Sequence, residues 1–231
     1  MRSKLVRRAA AEAVGTALLV AIGTGTIVRA GQVGGIPQWA MAVAWFLAVL
    51  VPLVAVIGVS GAHLNPAVTL ALAASRRIAW AEVPGYWASQ LAGAFAGSAL
   101  VLVALGGGSH LGATVPAQGD VVRALLAEAL FTGILVAAVF TLADWGEGPS
   151  RWRILLPPGA VGLSTYVIGP RTGSSLNPAR TIAPAVLSGT YLDLWVYLVS
   201  VPLAALLVAM LWSPRAVDLA DRGPGRLDAS R

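Results

Sequence analysis

Two asparagines, Asn65 and Asn177, sit in closely matched uncharged or nearly uncharged stretches, SGAHLNPAVT (60–69) and TGSSLNPART (172–181). Each opens the same cassette: Asn65-Pro66-Ala67 in the first half of the chain, Asn177-Pro178-Ala179 in the second. Asparagine is a strong helix N-cap, because its side-chain oxygen accepts from backbone N–H groups that the first turn leaves unpaired. Proline fits the first helical position, where its missing N–H is no loss. Alanine keeps the helix start thin enough for two such starts to abut. With the oxygens engaged, this reading leaves both side-chain NH₂ groups as free donors, which is chemistry for greeting a polar oxygen rather than for making bonds.

Bond-making chemistry finds little support. Gly58-Val59-Ser60-Gly61 matches a Gly-x-Ser-Gly nucleophile motif, but a serine nucleophile needs a histidine packed against it. The chain has two histidines, His63 on the same loop and His110 in a distant polar stretch, and neither suits that role. There is no cysteine, hence no disulfide and no thiolate chemistry. No metal, cofactor or enzymatic activity is expected.

The elements that must hold the cassettes follow from composition. The 231 residues are 57% hydrophobic and only 11% charged, against about a quarter charged in a soluble domain. Apolar blocks fall at about 9–28, 38–59, 83–105, 121–143, 154–170 and 191–212, each near the roughly 17–25 residues that cross a bilayer. The net charge of +6 could suggest nucleic acid, but its distribution does not. Arg2, Lys4, Arg7, Arg8, Arg76, Arg77, Arg151, Arg153, Arg215, Arg222, Arg226 and Arg231 would all lie on one side, leaving Arg29, Arg123, Arg171 and Arg180 for the other. That bias places both termini in the cytoplasm. The basic head before the first block resembles a signal peptide, yet Glu12 interrupts the run and no cleavage site is apparent.

The repeat extends beyond the cassettes. EAVGTALLVA (12–21) answers to EALFTGILVA (128–137), and GYWASQLAGA (85–94) more faintly to DLWVYLVSVPLAA (193–205). Each half is three spans with a cassette between the second and third, so the halves, about 1–108 and 119–212, must enter the membrane from opposite sides. A Gly- and Ser-rich linker at about 106–120 joins them, and 213–231 reads as a polar tail. Each cassette helix is roughly 14 Å long, half of a core about 30 Å thick. Two meeting end to end make one composite span. The extended backbone leading into each is tolerated at that depth only if buried in protein or lining a watery cavity. The expected fold is therefore an all-α membrane protein: six transmembrane helices and two re-entrant half-helices in an inverted repeat around a lumen, forming a single domain over 1–212.

Within that frame Glu12 and Glu128 are buried acids, with two readings: a proton relay, or acceptors that tether the re-entrant backbone. His63 either approaches the lumen or pairs within its loop. Gly93 and Gly97 form a small-xxx-small step for close helix packing.

Both cassettes, the paired glutamates, Gln90 in the third span and Pro202 in the sixth resemble the aquaporin (major intrinsic protein) family over essentially the whole chain, of the bacterial water-channel or glycerol-facilitator type. The resemblance implies a pore in each subunit of a homotetramer in the plasma or inner membrane, conducting water and small uncharged solutes such as glycerol while excluding protons and ions. It implies an outer selectivity filter at Trp45, Thr165, Ser174 and Arg180, and a ladder of pore-lining carbonyls at Gly61, Ala62, His63, Leu64, Gly173, Ser175 and Leu176. Trp45 is also consistent with a packing or belt aromatic. Threonine at 165, where water channels of the family usually carry histidine, leaves more room. The tryptophan resembles glycerol facilitators and the plant nodulin-like intrinsic proteins, whereas Thr181 and Ala185 resemble water channels. A water-only pore and a coupled transporter built on broken helices are the alternatives.

Overall fold

The structure, a computed structural model, describes residues 2–117, 120–144 and 151–212; the tail from 213, with Arg215, Arg222, Arg226 and Arg231, lies outside them. The described residues form eight α-helices: α1 (Arg2–Gln32), α2 (Gln38–Ser60), α3 (Pro66–Ala74), α4 (Val83–Leu105), α5 (Val121–Asp144), α6 (Leu156–Thr172), α7 (Pro178–Ser188) and α8 (Leu194–Leu211). Five of them, α1, α2, α4, α5 and α8, are long and apolar enough to cross a membrane unaided. α6 has 17 residues, at the short end of the crossing range, and continues from a 3₁₀ turn at Arg151–Leu155.

The surface identifies the solvent. Val14, Val43, Val54, Leu100, Val103, Leu126, Leu130, Leu203 and Met210 point outward, while Glu12, Gln90, Glu128 and Arg180 are fully buried. A water-soluble fold does the reverse. Most exposed aromatics lie at or near helix ends, with Trp39, Tyr191 and Trp195 at one end and Trp80 and Trp152 at the other, as an interfacial belt requires. The protein is a multi-pass membrane protein.

Chain punctuation places the cassettes. α2 stops at Gly61 (φ 87°) and α6 at Gly173 (φ 78°), each closing the helix with its N–H on the carbonyl four residues back. Only glycine takes that left-handed turn without strain. The chain then folds back to Asn65 and Asn177, whose extended backbone starts α3 and α7. These half-helices have 9 and 11 residues, or about 14 and 16 Å.

The two halves interlock. α3 of the first half packs on α8 of the second, and α7 of the second on α4 of the first. One apolar core accordingly joins Ala67, Val68, Ala71 and Leu72 of α3 to Phe131, Leu135 and Phe140 of α5. A second joins Ala179 and Ala183 of α7 to Leu19, Val20, Trp45 and Ala48. Each half therefore completes the other's interior. α1 and α4 lie backbone to backbone: a Cβ at Gly93 would stand 2.1 Å from the Ala13 carbonyl oxygen, and one at Gly97 2.4 Å from that of Ala17.

Candidate pore and its constriction

The asparagines cap as their type predicts. Asn65 Oδ1 accepts from Ala67 N at 2.8 Å, and Asn177 Oδ1 from Ala179 N at 3.0 Å and Arg180 N at 3.3 Å. Their NH₂ groups are not wholly free, which corrects the sequence reading. Asn65 Nδ2 donates to the Leu176 carbonyl at 2.7 Å and Asn177 Nδ2 to the Leu64 carbonyl at 2.9 Å. Each amide carries two hydrogens, so the cross-pair stitches the halves together and leaves one N–H per asparagine.

The re-entrant backbone is likewise not extended as expected. Ala62 (φ 53°), Leu64 (φ 54°), Ser174 (φ 47°) and Leu176 (φ 53°) are left-handed without being glycine, at about 1–2 kcal/mol each. The buried acids offset that strain. Glu12 accepts from His63 N (2.9 Å), Leu64 N (2.7 Å), Ser60 Oγ (2.7 Å) and Gln90 Nε2 (2.8 Å). Glu128 accepts from Ser175 N (2.9 Å), Leu176 N (3.0 Å) and Thr172 Oγ1 (2.7 Å). Hydrogen bonds to a charged acceptor contribute about 1.5–3 kcal/mol each.

A second pair of props was not foreseen. Tyr86 Oη donates to the Ser60 carbonyl at 2.7 Å, and Tyr197 Oη to that of Thr172 at 2.6 Å. Thr69 and Thr181, equally placed in the two cassettes, anchor matching polar clusters. Thr69 meets His63 Nδ1 (3.1 Å) and Gln90 Nε2 (2.9 Å), while Thr181 meets Thr114 Oγ1 (3.2 Å) and Ser175 Oγ. The repeated threonine was visible in the sequence and could have signalled this. His63 stacks on Tyr86, ring centroids 4.4 Å apart, and also borders the lumen, so its two readings hold together. Its ring pairs with Thr69 and the Ser60 hydroxyl is bound to Glu12, so Ser60 and His63 do not form a serine–histidine couple.

A cavity of about 70 Å³ runs along the interhalf seam, enough for a short file of waters. Leu142, Val139 and Pro157 lie toward one end, both asparagines and Gly61–Leu64 between, and Trp45 and Arg180 toward the other. Arg180 is fully buried. Its Nη1 donates to the Gly112 carbonyl at 2.7 Å and its Nη2 to that of Gly173 at 3.4 Å. Its guanidinium carbon stands 4.6 Å from the centre of the Trp45 ring, within cation–π range. Nε has no partner among the described residues.

Thr165 and Ser174 are buried beside the cavity but are not among its lining residues. The Ser174 hydroxyl shares a 2.7 Å hydrogen bond with that of Ser164, and the Thr165 hydroxyl has no partner among the described residues. Gln38 Nε2 donates to the Thr165 carbonyl at 2.6 Å. Pro170, lacking an N–H, cannot serve the Tyr166 carbonyl four residues back, and Gln38 reaches that oxygen too, at 3.4 Å.

The stretch read as a linker is also part of the site. Ser109, His110 and Leu111 form a left-handed turn, Leu111 and Gly112 are buried, and the Gly112 carbonyl holds Arg180. A backbone oxygen in a glycine-rich loop leaves no residue pattern to read.

A helical inverted repeat with capped half-helices meeting at a lumen is a narrow description, and known sequences meet it. The family profile described as Major intrinsic protein matches residues 1–212. The chain belongs to the major intrinsic protein family. It is 36% identical over 210 residues to Aquaporin NIP1-1 of Oryza sativa subsp. japonica, covering 90% of this chain and 73% of that one. It is 35% identical to Aquaporin NIP1-1 of Zea mays, with the same coverage. These relatives are plant proteins and lend the expected bacterial subtype no support. Among solved structures, the aquaglyceroporin from Plasmodium falciparum superposes with a TM-score of 0.79 at 25% identity, covering 95% of this chain and 100% of that one. Major intrinsic proteins are passive channels, not enzymes, so the Gly-x-Ser-Gly motif is the capped end of α2.

Proposed function

We propose that the protein is a passive channel for water and small uncharged solutes such as glycerol, closed to protons and ions. The observation that carries this reading is the meeting of two capped half-helices at a lumen that Trp45 and Arg180 flank at one end. Each half-helix directs about half a positive charge at the midplane, which raises an electrostatic barrier to cations. The remaining N–H of Asn65 and of Asn177 donates to a passing water's oxygen. That water's hydrogens then point away along the file, which breaks a proton wire at the centre.

The carbonyls of Gly61, Ala62, His63 and Ser175 accept no hydrogen bond from the described residues, so they serve as the acceptor ladder. Leu64, Leu176 and Gly173 each accept one bond, from Asn177, Asn65 and Arg180, and keep a second lone pair for a passing water. Exchange between such carbonyls and water–water bonds is nearly neutral, which keeps transit fast. Arg180 offers its unpaired N–H groups to a solute hydroxyl while the Trp45 face meets its carbons, and Thr165 and Ser174 set the wall behind. That pairing suits a polyol, and the aquaglyceroporin likeness supports it. Glu12 and Glu128 tether loops and relay no proton, which leaves a coupled transporter without an ion site.

The exposed apolar faces and the family support a homotetramer. The basic bias supports cytoplasmic termini in a cell membrane.

Stopped-flow light scattering on proteoliposomes tests the proposal. An impermeant-osmolyte gradient should shrink the vesicles much faster than empty ones, and a glycerol gradient should then re-swell them. Shrinkage without re-swelling would mean a water-only pore. No acceleration in either would remove the channel reading.

A further inference from the structure

The aromatic wall of the constriction has a backstop that no polar contact reveals. The Trp45 indole is 3% exposed and rests directly on α1 at Gly23. A Cβ at that glycine would lie 2.6 Å from Cη2, 2.7 Å from Cζ3 and 2.8 Å from Cζ2. Ordinary carbon–carbon contacts are about 3.5–4.0 Å, so one methyl group there demands a displacement of roughly 1 Å. All three atoms belong to the six-membered ring of the indole.

α1 cannot retreat to make that room. On its far side the backbone of α4 is already in contact at Gly93 and Gly97. Toward the cassette, Gly15 receives the side chain of Leu64, whose Cδ2 would stand 2.5 Å from a Cβ there. The remaining freedom belongs to the indole, and the open space that it borders is the lumen, with the Arg180 guanidinium across the ring.

We propose that Gly23 is a specificity-determining position: its missing side chain sets how far Trp45 stands back from Arg180, and so sets the bore at the filter. The proposal rests on the reading of Trp45 and Arg180 as the filter. Gly23 touches no solute and acts through the ring, as a positioning residue. Adding one methyl group should move the wall inward and exclude a glycerol-sized solute while water still passes.

The test is the ratio of glycerol to water permeability, taken on the same vesicles so that protein density cancels. Gly23→Ala should lower that ratio on the order of tenfold, the discrimination that a single methyl-sized misfit commonly gives. Trp45→Phe removes the crowding ring atoms and should raise the ratio in the parent. The double variant Gly23→Ala/Trp45→Phe should recover the glycerol flux that Gly23→Ala loses, since the added methyl group then has nothing to push. A merely structural defect would lower both fluxes together and would not be rescued. A parental ratio in Gly23→Ala, with Trp45→Phe shifting its own, would overturn the assignment of Gly23 alone. No shift with Trp45→Phe or Trp45→Ala would overturn the filter reading beneath it. Should Gly23→Ala by itself fail to assemble, assembly of the double variant supports the coupling, and its failure overturns it.

Discussion

Arg180 carries a full charge into an interior where charge is expensive, and the structure shows how it is kept there. Two backbone carbonyls, Gly112 from the interhalf loop and Gly173 from the re-entrant segment, take its Nη atoms, and the Trp45 ring takes its face. Replacing it, as in Arg180→Val, leaves those carbonyls stranded and removes the positive wall of the pore. Ion leak in proteoliposomes should then rise by tenfold or more, since even about 1.4 kcal/mol off a barrier is a decade in rate. Exclusion unchanged from the parent would take Arg180 out of the filter. At this scale the sequence was readable where side-chain type carries the role: an asparagine that must cap, a proline that must start, an arginine fixed by the residues before it. It was unreadable where the role belongs to a backbone oxygen, as at Gly112, or to an absent atom, as at Gly23. Gln38 was missed because a polar residue at a helix start has many ordinary explanations.

The elements that matter most are the two re-entrant segments, each with two left-handed residues that are not glycine, and these are rigid only because something holds them. Glu12 and Glu128 do so by taking consecutive backbone N–H groups of their loops. Glu128→Ala strands Ser175 N, Leu176 N and the Thr172 hydroxyl, at about 1–3 kcal/mol for each buried donor. Its thermal midpoint in detergent should fall by about 6 °C or more, at roughly 2–4 °C per kcal/mol for a chain of this size, and channel activity should fall with it. Glu128→Gln keeps an acceptor oxygen and should lose much less. Equal losses in both variants would mean that the tether depends on the charge of the carboxylate and not only on its oxygens, whereas a proton leak lost in both would point to a relay. The half-helices themselves were legible from their length and caps. The left-handed path into them was not, because Ala62, Leu64, Ser174 and Leu176 are residues whose types disfavour it, and tertiary hydrogen bonds override that preference.

The whole molecule is two halves that exchange their shortest helices. The repeat in the sequence predicts the inversion but is silent on the exchange, since nothing in α3 or α7 says which core will receive it. The consequence is testable. Residues 1–117 expressed alone lack α8 beneath α3 and the α7 alanines in their own core, and should neither insert stably nor conduct. Co-expression with the complementary half should restore a complex that purifies together and passes water. A first half that is stable by itself would mean the exchanged helices contribute little. Charge follows the same architecture at the ends of the bundle. Arg8 pairs with Glu82 at 3.0 Å, and Arg77 with Asp144, tying α1 to the turn just before α4 and the segment just after α3 to the end of α5.

Whether water crosses this protein while protons do not is decided by following both on one preparation. Proteoliposomes carrying an internal pH dye would be given an osmotic gradient and, separately, a proton gradient with a potassium ionophore to clamp the potential. Osmotic shrinkage should run far faster than in empty vesicles, with the dye response no faster than theirs. A dye response that quickens in step with protein density would contradict it, because the crossed asparagines and converging half-helices would then not interrupt the proton wire.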